Sequence, residues 1–97
     1  MKTALVTGGS RGIGKAIALD LGKSFQVAVG YSSSKDSAEE VVKEIVNSGG
    51  TATAVEIDVK SSESIEKAFT TIEGEFGGID VLVNNAGITK DNILPRL

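Results

Sequence analysis

The chain has 97 residues, of which 40% are hydrophobic and 24% charged, a composition that suits one small globular domain with a single core. Its net charge of −3 comes with no block of Lys or Arg, which argues against a nucleic-acid-binding protein. The absence of Cys and His excludes disulfides and thiolate metal sites and removes the commonest general base, so we expect no metal site.

The first predicted strand covers residues 3–7 and runs directly into a glycine-rich turn. A helix is predicted to follow from about residue 12 to residue 23, because apolar side chains recur there at helical spacing. We expect this helix to bury Ile13, Ala16, Ile17 and Leu21 against the core.

The second predicted strand covers residues 26–30 and is followed by a strongly amphipathic helix. Asp36 is the candidate residue to cap the start of that helix, and Gly49 and Gly50 are expected to end it. Its apolar residues recur at i, i+3, i+4, i+7 and i+8 and form one stripe of Ala38, Val41, Val42, Ile45 and Val46.

The third predicted strand covers residues 52–57, and the fourth covers residues 80–84. Between them, a helix is predicted to begin at a cap formed by Ser61 or Ser62 and to end at Gly77 and Gly78. The apolar stripe of this helix comprises Ile65, Ala68, Phe69, Ile72 and Phe76. No further element is predicted after Gly87.

This alternation of strands and helices predicts an α/β fold with a doubly wound parallel sheet of the Rossmann type. The strands are nearly continuous apolar runs, which is typical of strands that are buried on both faces. Connections between parallel strands are almost always right-handed, and neighbours in sequence tend to pair. We therefore expect the strand order 3-2-1-4.

The turn after the first strand carries glycines at positions 8, 12 and 14. Glycines allow the backbone to approach a pyrophosphate, and the N–H groups of the following helix face such an anion. A glycine-rich turn without a ligand is the plainer alternative. Residues 9–15 also match the first seven positions of a P-loop, but Ala16 stands where that motif needs a hydroxyl for Mg²⁺, which removes the mechanism of a nucleotide hydrolase.

Two further sets of residues follow strands at the carboxyl edge of the predicted sheet, where open α/β sheets place their sites. Asn84-Asn85-Ala86-Gly87 ends the fourth strand, and Asp58-Val59 follows the third. Small residues there would let a flat ligand lie against the backbone. The structural alternatives are a polar turn for the Asn residues and a residue that begins the next helix for Asp58.

Together, Thr7-Gly8-x₃-Gly12-x-Gly14, Asp58-Val59 and Asn84-Asn85-Ala86-Gly87 resemble the short-chain dehydrogenase/reductase family over the whole chain. Residues 7–14 and 84–92 are most similar to family members that reduce 3-oxoacyl thioesters on acyl carrier protein. The resemblance implies that backbone atoms of the turn hold phosphates, that Asp58 bonds the adenine amino group beside Val59, and that residues 85–87 lie along the nicotinamide-side ribose.

The segment after the second strand indicates which dinucleotide is bound. An NAD enzyme usually has an acidic residue there for the ribose 2′-OH. Residues 30–35 instead contain hydroxyl groups, including that of Ser32, and Lys35, while Arg11 lies in the turn, so NADP(H) is favoured. Solvated surface is the alternative for Arg11 and Lys35. The predicted cofactor-binding residues are Gly8, Gly9, Ser10, Arg11, Gly12, Ile13, Gly14, Ser32, Asp58, Val59, Asn85, Ala86 and Gly87.

The family's active site uses a Ser, a Tyr and a Lys four residues after that Tyr, beyond the Asn-Asn-Ala-Gly motif. Tyr31 and Lys35 have this spacing, but they follow the second strand at the adenosine end of the implied site, so we assign no catalytic residue. We expect residues 1–97 to be the NADP-binding N-terminal portion of a single Rossmann domain, truncated before the catalytic half and inactive alone.

By the same resemblance, the intact parent would use NADPH to reduce 3-oxoacyl-[acyl-carrier-protein] to the 3-hydroxyacyl form in fatty-acid synthesis. Acetoacetyl-CoA reduction or another short-chain dehydrogenase activity is the first alternative, and a non-catalytic dinucleotide-binding or assembly module is the second. The apolar fourth strand lacks an edge defence, so we expect a homo-oligomer. The N-terminus has no signal-peptide pattern, and no apolar run reaches about 20 residues, so we expect a cytoplasmic protein, or a plastid one if processed, without membrane contact.

Overall fold

The structure is a computed structural model that describes residues 1–10 and 12–85. Strands and helices alternate along these residues, as the sequence predicts, and most element bounds agree with the prediction within two residues. The elements are β1 (Thr3–Thr7), α1 (Gly12–Leu21), β2 (Gln26–Tyr31), α2 (Lys35–Asn47), β3 (Ala52–Glu56), α3 (Ser62–Phe76) and β4 (Val81–Asn84).

The four strands form one parallel sheet in the order β3-β2-β1-β4, which confirms the predicted topology. From β1 the chain moves outward through β2 to β3 and then returns past both strands to pair β4 with the other side of β1. Right-handed connections in opposite directions place their helices on opposite faces of the sheet. The sheet is therefore doubly wound.

Two hydrophobic clusters cover the two faces of the sheet. On one face, Val27 and Val29 of β2 pack with Ala18 of α1 and with Val41 and Ile45 of α2. On the other face the cluster joins β1, β2, the end of β3 and α3 through Leu5, Ala28, Ile57, Ala68 and Ile72. All of β1 is buried because it lies between two strands and between both helical layers.

The prediction that Ile13 and Ala16 are buried is wrong: Ile13 is 70% exposed, and Ala16 is exposed. The buried residues of α1 are Gly14 and Ala18. Each helical residue turns about 100° from the last, so a face centred on Gly14 and Ala18 keeps Ile17 near the core but turns Ile13 and Ala16 toward solvent. The helix thus approaches the sheet through two small residues, Gly14 and Ala18.

The ends of α2 and α3 test the predicted caps. Asp36 does not cap α2, because the helix begins at Lys35 and Ser34 occupies the cap position, which leaves Asp36 in the first turn. In α3, Ser61 is the cap, and its hydroxyl accepts a hydrogen bond from the Ser64 N–H at 3.2 Å. Gly77 ends α3 in the left-handed conformation with φ of 87°.

Candidate functional site

The carboxyl ends of β1 and β4 lie side by side, with Thr7 in register with Asn84. The connection after β1 leads to β2 and then β3 on one side of β1, whereas the connection after β3 leads back to β4 on the other side. The two connections therefore diverge at the boundary between β1 and β4. Such a divergence opens a crevice at the carboxyl edge of an α/β sheet, and it is where these folds bind their ligands. The glycine-rich turn and the end of β4 border this crevice.

The turn after β1 is fixed by hydrogen bonds to both neighbouring strands. The Gly9 N–H donates to the carbonyl oxygen of Gly30 in β2 at 3.0 Å. On the side of β4, the Asn85 side-chain amide donates to the carbonyl oxygen of Gly8 at 3.0 Å. The turn therefore has a defined position relative to both strands.

Gly14 packs directly against this turn. A Cβ atom at position 14 would overlap the carbonyl group of Gly8 and the side-chain nitrogen of Asn85. Only a residue without a side chain allows the first turn of α1 to lie this close to the end of β1. The contact places the N-terminus of α1 beside the turn, where helix N–H groups can face an anion.

The surface of the turn is open, in contrast to its base. Gly12 begins α1 with φ of 59°, and a Cβ atom built there would meet nothing within 4 Å. Ser10 is half-buried, and the Ile13 side chain is exposed on the same turn of chain. A rigid base, an open rim and the N-terminus of a helix together fit a dinucleotide pyrophosphate.

Thr7 joins the ends of β1 and β4 through its side chain. Its Oγ1 lies 3.1 Å from Asn84 Oδ1 and 3.3 Å from the Val83 carbonyl oxygen, both of which can accept its proton. Thr7 is 2% exposed, so its role is to hold the two strand ends together beneath the crevice. The sequence motif included Thr7, but its hydrogen-bond partners are 76 and 77 residues away, and no local sequence pattern identifies them.

Asp58 belongs to the turn between β3 and α3. Its Oδ1 accepts from the Lys60 N–H at 3.0 Å, its carbonyl oxygen accepts from the Ser61 N–H, and its N–H donates to Ser64 Oγ. These bonds support the structural alternative considered above. The residue is nevertheless exposed, and Val59 beside it is only half-buried, so both remain accessible at the carboxyl edge.

Some of the remaining residues from the sequence analysis lie at the end of β2, and the others lie outside the described residues. Ser32 is exposed directly after β2, and Lys35 is the first residue of α2. Tyr31 is the last residue of β2, so it lies on the opposite side of β1 from the end of β4. Arg11, Ala86 and Gly87 were also predicted to bind the cofactor and lie outside the described residues.

The described part of the chain carries neither a metal-binding cluster nor a membrane-spanning helix. No group of three or more His, Cys, Asp or Glu side chains there could hold a metal ion. None of the helices in the same residues combines the length and apolar character needed to cross a membrane. Within these residues, the glycine-rich turn beside the ends of β1 and β4 is therefore the candidate functional site.

A family model described as short chain dehydrogenase matches residues 2–97. The chain is 50% identical over 97 residues to 3-oxoacyl-[acyl-carrier-protein] reductase FabG of Staphylococcus epidermidis. The alignment covers 99% of this chain and 40% of that protein. The corresponding reductase of Synechocystis sp. is 47% identical, with 39% of its length covered. The chain thus spans about two fifths of the length of these curated relatives.

Solved structures agree with this match. A dehydrogenase/reductase from Sinorhizobium meliloti superposes with a TM-score of 0.85 and 48% identity, covering 90% of this chain and 35% of that one. Landomycin C-6 ketoreductase LanV, solved with bound NADP and rabelomycin, gives a TM-score of 0.79 and 41% identity over 90% of this chain and 38% of its own. The glycine turn and the sheet order therefore occur in the setting of a known enzyme family.

Proposed function

Because the chain belongs to the short-chain dehydrogenase family, we propose that residues 1–97 form the NADP(H)-binding part of a reductase that acts on 3-oxoacyl groups carried by acyl carrier protein. The 50% identity to a reductase of that substrate supports this choice. The substrate carrier would be the protein's partner, and the working enzyme would be a homo-oligomer in the cytoplasm.

The observation that carries the proposal is the contact of Gly14 with Gly8 and Asn85. It joins the turn, the start of α1 and the end of β4 into one rigid base. In the proposed complex, backbone N–H groups between Gly8 and Gly14 bind the pyrophosphate, except that of Gly9, which donates to the Gly30 carbonyl oxygen. Residues 85–87 lie along the nicotinamide-side ribose. NADPH, when bound, supplies the hydride that reduces the ketone.

We propose that the adenosine end of the cofactor binds to exposed residues that follow β2 and β3. Asp58 would bond the adenine amino group through its exposed carboxylate, and half-buried Val59 would pack beside the ring. Ser32 would face the ribose 2′-phosphate with Arg11, since residues 30–35 contain no carboxylate to repel it. The NADP bound to the landomycin ketoreductase supports the same preference.

A chimera tests this proposal directly. Residues 1–97 would replace the matched segment of the S. epidermidis reductase, which then supplies the rest of the enzyme. We expect the chimera to oxidise NADPH when acetoacetyl-[acyl-carrier-protein] is added, and a Gly14→Val chimera to lose cofactor binding. Acetoacetyl-CoA, assayed in parallel, distinguishes the two thioester carriers.

A chimera with the circular dichroism and oligomeric state of the parent reductase, but without NADPH binding, would contradict the proposal. That result would favour the non-catalytic assembly module, because the segment would then contribute to folding alone.

A further inference from the structure

Strand β3 lies at one edge of the sheet, and among the described residues it pairs with β2 alone. The Thr51 carbonyl oxygen accepts from Val27, and the Ile57 N–H donates to Tyr31. Because backbone groups alternate in direction along a strand, the N–H and carbonyl groups of Ala52, Ala54 and Glu56 point away from β2. These three residues form the β3 edge.

The β3 edge has few of the features by which proteins protect an exposed strand. Its pairing with β2 runs without a bulge from Ala52 to Glu56, and it contains no proline or lysine. Ala52 and Ala54 have small side chains that leave the backbone accessible. An edge of this kind tends to recruit another strand.

A cleft lies on each side of the β3 edge. The first, about 320 Å³, lies between the edge and α2 and is lined by Glu39 and Lys43 together with Ala52 and Ala54. The second, about 410 Å³, lies between the edge and α3 and is lined by residues that include Glu63 and Lys67. Each helix therefore presents a Glu followed four residues later by a Lys beside the edge.

We infer that the β3 edge pairs antiparallel with the β3 edge of a second copy of this chain, around a two-fold axis at Ala54. In this register Ala54 faces Ala54, and Ala52 faces Glu56 of the other copy, so each outward N–H finds an outward carbonyl group. Glu56 then faces an alanine rather than a second carboxylate. This pairing goes beyond the proposed cofactor site and is independent of it.

The charged residues of α2 beside the edge, Glu39 and Lys43, favour a second copy of this chain as the partner. Helix α2 runs opposite to β3, because it returns the chain from the carboxyl end of β2 to the amino end of β3. Glu39 therefore lies toward the carboxyl end of β3, and Lys43 toward its amino end. A two-fold rotation reverses this order and brings Lys43 of the second copy to the side of Glu39.

Helix α3 repeats the arrangement on the other face of the sheet. It also runs opposite to β3, with Glu63 before Lys67 along the second cleft. The two-fold rotation therefore brings unlike charges toward each other on this face as well. A foreign peptide strand could satisfy the backbone groups of the edge, whereas the two-fold rotation gives a second copy complementary charges on both faces by symmetry.

Sedimentation equilibrium of the purified 97-residue chain and its variants tests the inference. Lys43→Glu places like charges across the axis and should weaken self-association by about tenfold or more. The double variant Glu39→Lys with Lys43→Glu restores unlike charges across the axis and should return the dissociation constant to that of the unmutated chain. Lys2→Glu, an equal charge change at an exposed residue away from the edge, should leave it unchanged.

A backbone variant tests the pairing itself. Ala54→Pro removes an N–H that points away from β2, so it keeps the β2–β3 bonds and should weaken self-association at least as strongly as Lys43→Glu does. Circular dichroism checks its fold, and the charge variants decide the matter if it unfolds. A monomeric unmutated chain, failure of the double variant to restore association, or equal association of the unmutated and Lys43→Glu chains would overturn the inference.

Discussion

At the scale of single residues, Gly14 and Gly12 have different reasons to be glycine. Gly14 has no room for a side chain, whereas Gly12 has open space but a φ of 59°. A side chain at position 14 must displace the Gly8 carbonyl group or the Asn85 amide, and one at position 12 must adopt a left-handed conformation. After glycine, Asn is among the residues that tolerate this conformation best.

We predict that Gly14→Ala lowers the free energy of unfolding by about 3 kcal/mol, since backbone must move to relieve the overlap. Gly12→Asn should cost less than about 1 kcal/mol, because an Asn can keep the left-handed backbone in open space. Urea unfolding of the two variants beside the unmutated chain measures both costs. Equal losses would show that the contact of Gly14 with the turn is not the constraint.

Ser32 provides a test of cofactor choice. Ser32→Asp in the chimera should shift the ratio of NADPH to NADH dissociation constants by about tenfold toward NADH, because a carboxylate repels the 2′-phosphate. Ser32→Asn is the neutral control of similar shape and should shift the ratio much less. Fluorescence titration with each cofactor measures the ratio, and an unchanged ratio in Ser32→Asp would place the 2′-phosphate elsewhere.

At the scale of elements, the start of α3 depends on one side chain. The Ser61 hydroxyl accepts from the Ser64 N–H, while Ser62 is the first residue of the helix and is exposed. Ser61→Ala should therefore cost about 1 kcal/mol of stability, and Ser62→Ala should cost close to nothing. Urea unfolding distinguishes them, and a larger loss in Ser62→Ala would contradict the assigned cap.

The order of elements could be predicted from sequence because each depends on a short-range pattern. Apolar runs such as residues 3–7 and the stripe of α3 are complete within one element, and the strand order then follows from general rules of connection. The sequence narrowed the cap of α3 to two serines, and only the hydrogen bond to Ser64 selects Ser61.

The wrong prediction for Ile13 has a long-range physical cause, which is contact between distant parts of the chain. Ile13 looked like a core residue by its hydrophobicity, yet the fit of Gly14 against Gly8 and Asn85 turns it outward. The bond between Asn85 and Gly8 spans 77 residues and has no local signature. The candidate site could thus be located from motifs, but its rigid base required the fold.

At the scale of the whole molecule, residues far apart in sequence meet at the carboxyl edge of the sheet. β1 and β4 hold the crevice from below through Thr7, and the ends of β2 and β3 extend it toward the proposed adenosine end. Both hydrophobic clusters lie beneath this edge and support it. The fold therefore brings together the residues of the proposed cofactor site, and we assign no catalytic residue among them.

We predict that the 97-residue chain by itself does not oxidise NADPH in the presence of a 3-oxoacyl thioester. Tyr31 and Lys35 have the spacing of the family's catalytic pair, but Tyr31 ends β2, which lies on the opposite side of β1 from β4. Tyr31→Phe should accordingly leave kcat of the chimera unchanged. Turnover by the unmutated chain, or loss of kcat in Tyr31→Phe, would indicate that Tyr31 and Lys35 are catalytic and would contradict this prediction.

The most direct test of the cofactor site is a calorimetric titration of NADPH into the folded 97-residue chain. We predict saturable binding of one NADPH per chain, about tenfold tighter than binding of NADH, because the segment after β2 has no carboxylate. A chain that unfolds cooperatively yet fails to bind NADPH, or that binds NADH more tightly, would contradict the account.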